Sequence, residues 1–261
     1  MMSAGPLTEA ARIARRAPQP ATRALAQDTE ATKVAADNGY RLIRGIDGGW
    51  IRFGSTTAPC DIFIAYTFTG DWLLSIEHSG VARELPDCNL PGPGRKTTAA
   101  RSLYELHKAL DRTYRLSISL PTVPLAAFEH ETADLPRTTE AERLVVMRVG
   151  QEIFRKALMD YWNGACPLTG ITDPALLRAS HIVPWAECET DSLRLDVYNG
   201  FLLSSLWDSA FDAGLITFSA EGVPIASTKL SADGFRALRL DESPVLSRML
   251  KNYSRFHRRS W

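Results

Sequence analysis

The sequence is poor in cysteine and histidine, with four of the first and five of the second in 261 residues. Cys60, Cys88, Cys166 and Cys188 stand singly, no two of them separated by two residues, so the paired spacing of a zinc knuckle is missing and no structural zinc is expected. So few thiols point to free cysteines in a reducing cytoplasm rather than to a disulfide framework. No run approaches the ~18 apolar residues of a membrane span. The first apolar stretches are short and broken by Arg and Glu, unlike a signal peptide. A charge of one sign is lacking too: 30 basic residues face 30 acidic ones. That balance removes any global pull toward nucleic acid or a membrane, so contacts with nucleic acid must come from local basic patches.

What is present suits one or two ordinary domains, because 45% of the residues are hydrophobic. Residues 1–36 are rich in Ala, Arg, Thr and Pro and read as a flexible N-terminal segment. From Tyr40 the pattern changes. "YRLIRGIDGGWIRFG" is a hairpin around Asp-Gly-Gly, and "CDIFIAYTFTGDWLLSIEH" gives two further strands around Thr-Gly-Asp. After the breaker-rich "LPGPGRK", residues 97–116 read as a helix with Leu103, Leu106 and Leu110 on one face and Thr97 or Thr98 as its cap. Residues 37–118 are thus expected to form a small α+β domain, and no motif in it names a role. The prolines at 121, 124 and 136 make 119–138 a linker or wrapping loop. Thr139 with Glu142 is a capping box opening a helix, with a stripe of Leu144, Met147, Ile153 or Phe154, Ala157, Leu158 and Tyr161 that ends near Asn163-Gly164.

From Cys166 onward the chemistry becomes legible. "CPLTG" is a tight turn, "LLRASHIVPW" a strand ending at Pro184, and "YNGFLLSS" an Asn-Gly turn followed by another strand. "SSLWDSAFDAG" is a short helix with a start signal at Ser205 and Asp208 and a stop at Gly214, and "LITFSAEGVPIAS" is a further hairpin. Asp208 and Asp212 lie one turn apart on one helical face and can close on a hard divalent cation such as Mg²⁺ or Mn²⁺. His181 can activate water, because the imidazole pKa lies near working pH. Asn199 can bond the loop backbone and hold the histidine in place. Trp185 and Trp207 read as core, and Cys166 and Cys188 as buried thiols.

The string "CPLTG…LRASHIVPW…LRLDVYNGFLLSSLWDSAFDAGLITF" resembles the HNH endonuclease family, over about residues 140–261. The resemblance implies an α+β chain whose C-terminal ββα-metal module, residues 139–261, cleaves nucleic acid, beside a separate small N-terminal α+β domain for DNA specificity or a partner. It implies His181 as general base, Asn199 as the middle asparagine, Asp208 at the metal-ligand position of the third histidine, and Asp212 as a further ligand. Many members carry a ligand just before the base, where this chain has Ser180. The cofactor implied is one divalent cation, Mg²⁺ foremost, with Mn²⁺ or Ni²⁺ as alternatives. The partner implied is DNA, contacted by Arg178, Arg194, Arg255, His257 and Arg258, with a homodimer as the state that would cut both strands. The function implied is metal-dependent hydrolysis of DNA phosphodiesters in restriction or phage defence. The alternative is a catalytically silent nucleic-acid-binding protein on the same scaffold.

Overall fold

The computed structural model describes residues 25–85, 90–219 and 222–242. The chain divides into two compact units, Met1–Ile118 and Ser119–Trp261.

The first unit is built on a five-stranded antiparallel sheet in which every strand pairs with its neighbour in sequence, β1 (Leu42–Asp47), β2 (Trp50–Gly54), β3 (Ile62–Tyr66), β4 (Trp72–Ile76) and β5 (Lys96–Ala100). Both hairpins form as their alternation and turn residues require, with Gly48 and Gly49 at positive φ between β1 and β2. β4 is buried along its whole length, whereas the edge strand β1 is exposed from Ile43 onward. Helix α1 (Leu25–Asp37) buries Ala31, Val34 and Ala35. Part of the segment expected to be flexible is therefore ordered, because two alanines four apart let a helix press closely on its neighbours. Two more helices follow in sequence, the short α2 (Ser79–Glu84) and the longer α3 (Leu103–Ser119), the latter burying Leu106, Leu110 and Leu116.

The helix expected to start near Thr97 begins at Leu103 instead. Residues 96–100 pair with β4, Ile76 opposite Lys96 through Trp72 opposite Ala100. The β-branched Thr97 and Thr98 suit that pleated position, and the buried Thr97 hydroxyl donates to Ser75 Oγ at 2.9 Å.

In the second unit the stretch expected to be a linker contains a helix, α4 (Thr122–Thr132), which buries Pro124, Phe128 and Thr132. Pro124 falls in the first turn, where a backbone N–H has no intrahelical acceptor to lose. α4 packs against α5 (Glu140–Tyr161). The capping box forms, Thr139 Oγ1 accepting from Glu142 N at 3.2 Å and Glu142 Oε2 from Thr139 N at 2.9 Å. The bonds that this carboxylate accepts, led by one from the Thr138 hydroxyl at 2.6 Å, hold the Glu142 carboxyl below its usual range. The buried stripe of α5 is Val146, Gly150, Phe154, Ala157, Leu158 and Tyr161, while Leu144 is exposed, so the expected stripe was out of phase in its first half. Asn163 and Gly164 end the helix at positive φ, Gly164 N donating to Met159 O at 2.8 Å.

The rest of this unit positions the site. Strands β6 (Leu177–His181) and β7 (Gly200–Ser204) pair antiparallel over their full length, and α7 (Ser205–Asp212) follows β7 directly. Between the strands lie a one-turn helix, α6 (Asp191–Arg194), and 3-10 turns at Trp185–Glu187 and Val197–Asn199. β8 (Ile216–Phe218) and β9 (Pro224–Ala226) form a second hairpin, followed by α8 (Ala232–Ala237). The core under the ββα unit comprises Leu177, all of β7, Trp207, Ile216 and Phe218. Among the described residues no helix is long and apolar enough to cross a membrane.

Candidate active site

Ser180 and His181 are consecutive on β6, so their side chains leave opposite faces of the hairpin. Ser180 is buried on the side of α7, and its hydroxyl donates to Asp208 Oδ1. The other face carries His181 against α5. The Phe154 ring stacks on the imidazole with centroids 3.8 Å apart and planes 19° from parallel. Trp185 closes the edge at 5.6 Å and 88°.

One hydrogen bond fixes which nitrogen of His181 is available. Nε2 lies 2.8 Å from Arg194 O. A carbonyl only accepts, so Nε2 carries the hydrogen and Nδ1 keeps its lone pair. Burial pushes the imidazole pKa below its ordinary 6.5, with the bond to Arg194 pulling the other way. The ring is therefore neutral at neutral pH, with a basic nitrogen to offer.

The acceptor exists because α6 is a single turn whose last carbonyls have no intrahelical donor. Thr190 Oγ1 caps its start by accepting from Leu193 N at 3.2 Å. At its other end Leu193 O accepts from Asn199 Nδ2 at 3.1 Å, and Arg194 O accepts from His181. Asn199 is fully buried. Its Oδ1 accepts from Val183 N at 2.8 Å, and Nδ2 also reaches Val183 O at 3.3 Å and Cys188 Sγ at 3.4 Å. The asparagine thus ties the loop to itself, and the loop in turn presents Arg194 O to the histidine. Burial first, with smaller opposing effects of Asn199 and Arg194, raises the Cys188 thiol, which stays protonated.

The Asn-Gly pair expected to form a turn does not: Asn199 closes a 3-10 turn and Gly200 is extended in β7. Glycine is required there for space. A Cβ on Gly200 would stand 2.4 Å from Phe154 Cζ, so its absence admits the ring that stacks on His181, the residue paired with Gly200 across the hairpin. Gly150, one turn before Phe154, does the same for Trp185, whose Cη2 lies 2.4 Å from where a Cβ would be.

Asp208 and Asp212 lie one turn apart on α7, as their spacing requires. The carboxyl of Asp212 is raised, first by partial desolvation and second by the charge of Asp208, although the residue is exposed overall. The helix start differs slightly from expectation, since Ser204 rather than Ser205 is the N-cap and makes no side-chain capping bond. Among the described residues no group of three or more His, Cys, Asp and Glu is arranged to hold a metal ion. The carboxylate pair still suits a hard cation of the Mg²⁺ type, which keeps several waters and is held by one or two carboxylates plus the substrate's phosphate. The smaller of the two effects on Asp212, the charge of Asp208, is one that such a cation would relieve.

The basic residues divide. Arg178 is exposed on β6 and braces Ala175 O and Leu177 O through Nη1. Arg194 is spent inside the loop, on Trp185 O at 3.2 Å, Asp191 Oδ1 at 2.8 Å and Cys188 O at 2.5 Å, with its guanidinium over the Trp185 ring. It was expected to meet phosphate, but it is a loop brace whose useful atom is its backbone oxygen. Arg255, His257 and Arg258 lie outside the described residues.

A short antiparallel hairpin followed directly by a helix, with histidine at the end of the first strand, asparagine before the second and a carboxylate in the helix, is the layout of a ββα nuclease module. Residues 166–219 match the HNH endonuclease family, which bears out the resemblance over that stretch. No curated protein matches the chain. Phe154, Gly150 and Arg194 O were not singled out as parts of the site. A glycine within a helical stripe, four before an aromatic, was the one available signal for the first two; a backbone carbonyl leaves none.

Proposed function

We propose that the chain is a metal-dependent endonuclease hydrolysing DNA phosphodiester bonds, with His181 as general base. The observation that carries this reading is the bond from His181 Nε2 to Arg194 O, which leaves Nδ1 as the basic nitrogen of a neutral, partly desolvated imidazole. Nδ1 takes a proton from water as the water oxygen attacks phosphorus, and the 3′-oxygen leaves with a proton from solvent. A divalent cation held by Asp208 and Asp212 would supply charge stabilisation at the phosphate oxygens. Asn199 keeps the loop, and through it Arg194 O, in register with the imidazole. Of the two described arginines expected to meet phosphate, Arg178 is exposed and Arg194 is not, so Arg178 is the one left to make such a contact. Restriction or phage defence is the setting the family suggests, with the five-stranded unit supplying specificity or a partner surface.

The test is plasmid cleavage by the full chain with Mg²⁺, Mn²⁺ or Ni²⁺, wild type against His181→Ala. Cleavage by the wild type that is abolished by EDTA and by the substitution is expected. Equal nicking by both proteins overturns the assignment of His181. The second reading, a silent DNA-binding scaffold, is favoured by Ser180, whose hydroxyl closes on Asp208 where many members hold a metal ligand. It requires salt-dependent DNA binding with no cleavage under any metal.

A further inference from the structure

We propose that Phe154 is a positioning residue for His181, so that a helix outside the matched nuclease stretch forms one wall of the catalytic site. This inference rests on the reading of His181 as general base. The hydrogen bond at Nε2 fixes one atom of the imidazole and leaves the ring plane free to rock about it. Two aromatic surfaces remove that freedom, Phe154 lying flat against the ring and Trp185 standing at its edge. The register is specific. Gly150 and Phe154, one turn apart on α5, face Trp185 and His181, which are themselves four residues apart, and Gly200 leaves the space that Phe154 fills. Phe154 is 1% exposed, so its ring has no room to slide away. Turning the imidazole over would place a C–H against Arg194 O and lose the bond. An aliphatic side chain of similar volume would fill the space without offering a flat face.

The test uses the full chain with ¹⁵N-labelled histidine, for the wild type and for Phe154→Leu and Phe154→Met, which keep the volume and lose the ring. Long-range ¹H–¹⁵N spectra distinguish the two neutral tautomers. His78 is an internal reference in the other unit, because its Nδ1 accepts from Gly80 N and Val81 N and holds it in the Nε2–H form. In the wild type His181 is expected as a single Nε2–H tautomer, with its ring protons shifted upfield by the stacked phenyl. In both variants the tautomers of His181 mix while His78 is unchanged, and kcat falls on the order of tenfold to a hundredfold with KM unaltered. A wild-type His181 without the upfield shift overturns the proposal without any variant. So does a folded variant that keeps the single tautomer and the wild-type kcat. The spectra need no substrate, so an absence of cleavage, which would end the general-base reading, is distinguishable from an unchanged tautomer, which would end this one.

Discussion

Each unit holds a partly buried histidine, and in each desolvation lowers the imidazole pKa, yet the two rings are bonded in opposite ways. His78 spends Nδ1 on the first turn of α2, accepting from Gly80 N at 3.1 Å and Val81 N at 3.3 Å, as a helix cap does. His181 spends Nε2 on a loop carbonyl and keeps Nδ1. The surroundings follow the same division. Two pairs of buried polar groups in the five-stranded unit bond each other, Thr97 with Ser75 and the Tyr40 hydroxyl with Ser117, and burial lifts the Tyr40 phenol to about 12. In the second unit Asn199, Arg194 and Thr190 all serve one loop, and that loop serves one ring. Burial therefore does not separate the proposed base from the helix cap. What separates them on that proposal is the nitrogen left over after the structural bonds are assigned.

The largest expected effect breaks the comparison at this point. His181→Ala removes the proposed general base and should lower the cleavage rate by about 10²–10⁴-fold with little loss of stability, measured as single-turnover rates beside urea midpoints. His78→Ala should do the reverse, leaving cleavage unchanged and costing about 1 kcal/mol of stability through the lost cap. Loss of cleavage in His78→Ala, with His181→Ala still active, would invert the assignment.

Next come the residues that build the site without touching substrate. Gly200→Ala drives a Cβ into Phe154 and backbone, and should cost about 1–3 kcal/mol by overpacking, read from denaturant unfolding. Because the intruded ring is the one under His181, cleavage should fall as well. Asn199→Ala leaves the Val183 N–H and Leu193 O without their side-chain partner in a buried loop, at a cost of about 1–3 kcal/mol. Its cleavage defect should be smaller than that of His181→Ala if Asn199 acts, as proposed, through Arg194 O. A defect of equal size in a stably folded Asn199→Ala would mean that the asparagine meets the substrate directly.

These two residues also show what the sequence could reveal. The spacing of His181, Asn199 and Asp208 was visible, as were the hairpins, through their alternation and Asp-Gly-Gly turn, and the capping box at Thr139. All are local patterns, written by residues that act on near neighbours. The rest depended on long-range fit. Residues 96–100 became a strand because β4 offered an edge. The proline-rich stretch held α4 because Pro121 and Pro124 fell at or before its first turn and Pro136 beyond its end. Gly200, read as a turn glycine, is extended because a ring 46 positions earlier needs its space. Arg194 looked like a phosphate ligand because sequence records its charge and not the three loop acceptors that consume it.

The smallest expected effect is the pH dependence, and it sharpens the comparison. Both histidines have folded-state pKa values below the ordinary 6.5. Between each lowered value and 6.5 the unfolded chain binds more protons than the folded one, so stability rises with pH across that window. The contribution is complete above 6.5 and is lost as the pH falls through the folded pKa. Urea midpoints should therefore drop on acidification below 6.5, and the drop should shrink in His78→Ala and in His181→Ala alike. Cleavage should separate them. The rate should rise with pH along a limb centred below 6.5, because Nδ1 must be unprotonated to take a proton, and level off by neutrality. That limb should be untouched in His78→Ala. A cleavage limb that moves when the helix cap is removed would show that the two histidines, alike in burial, are coupled in function as well.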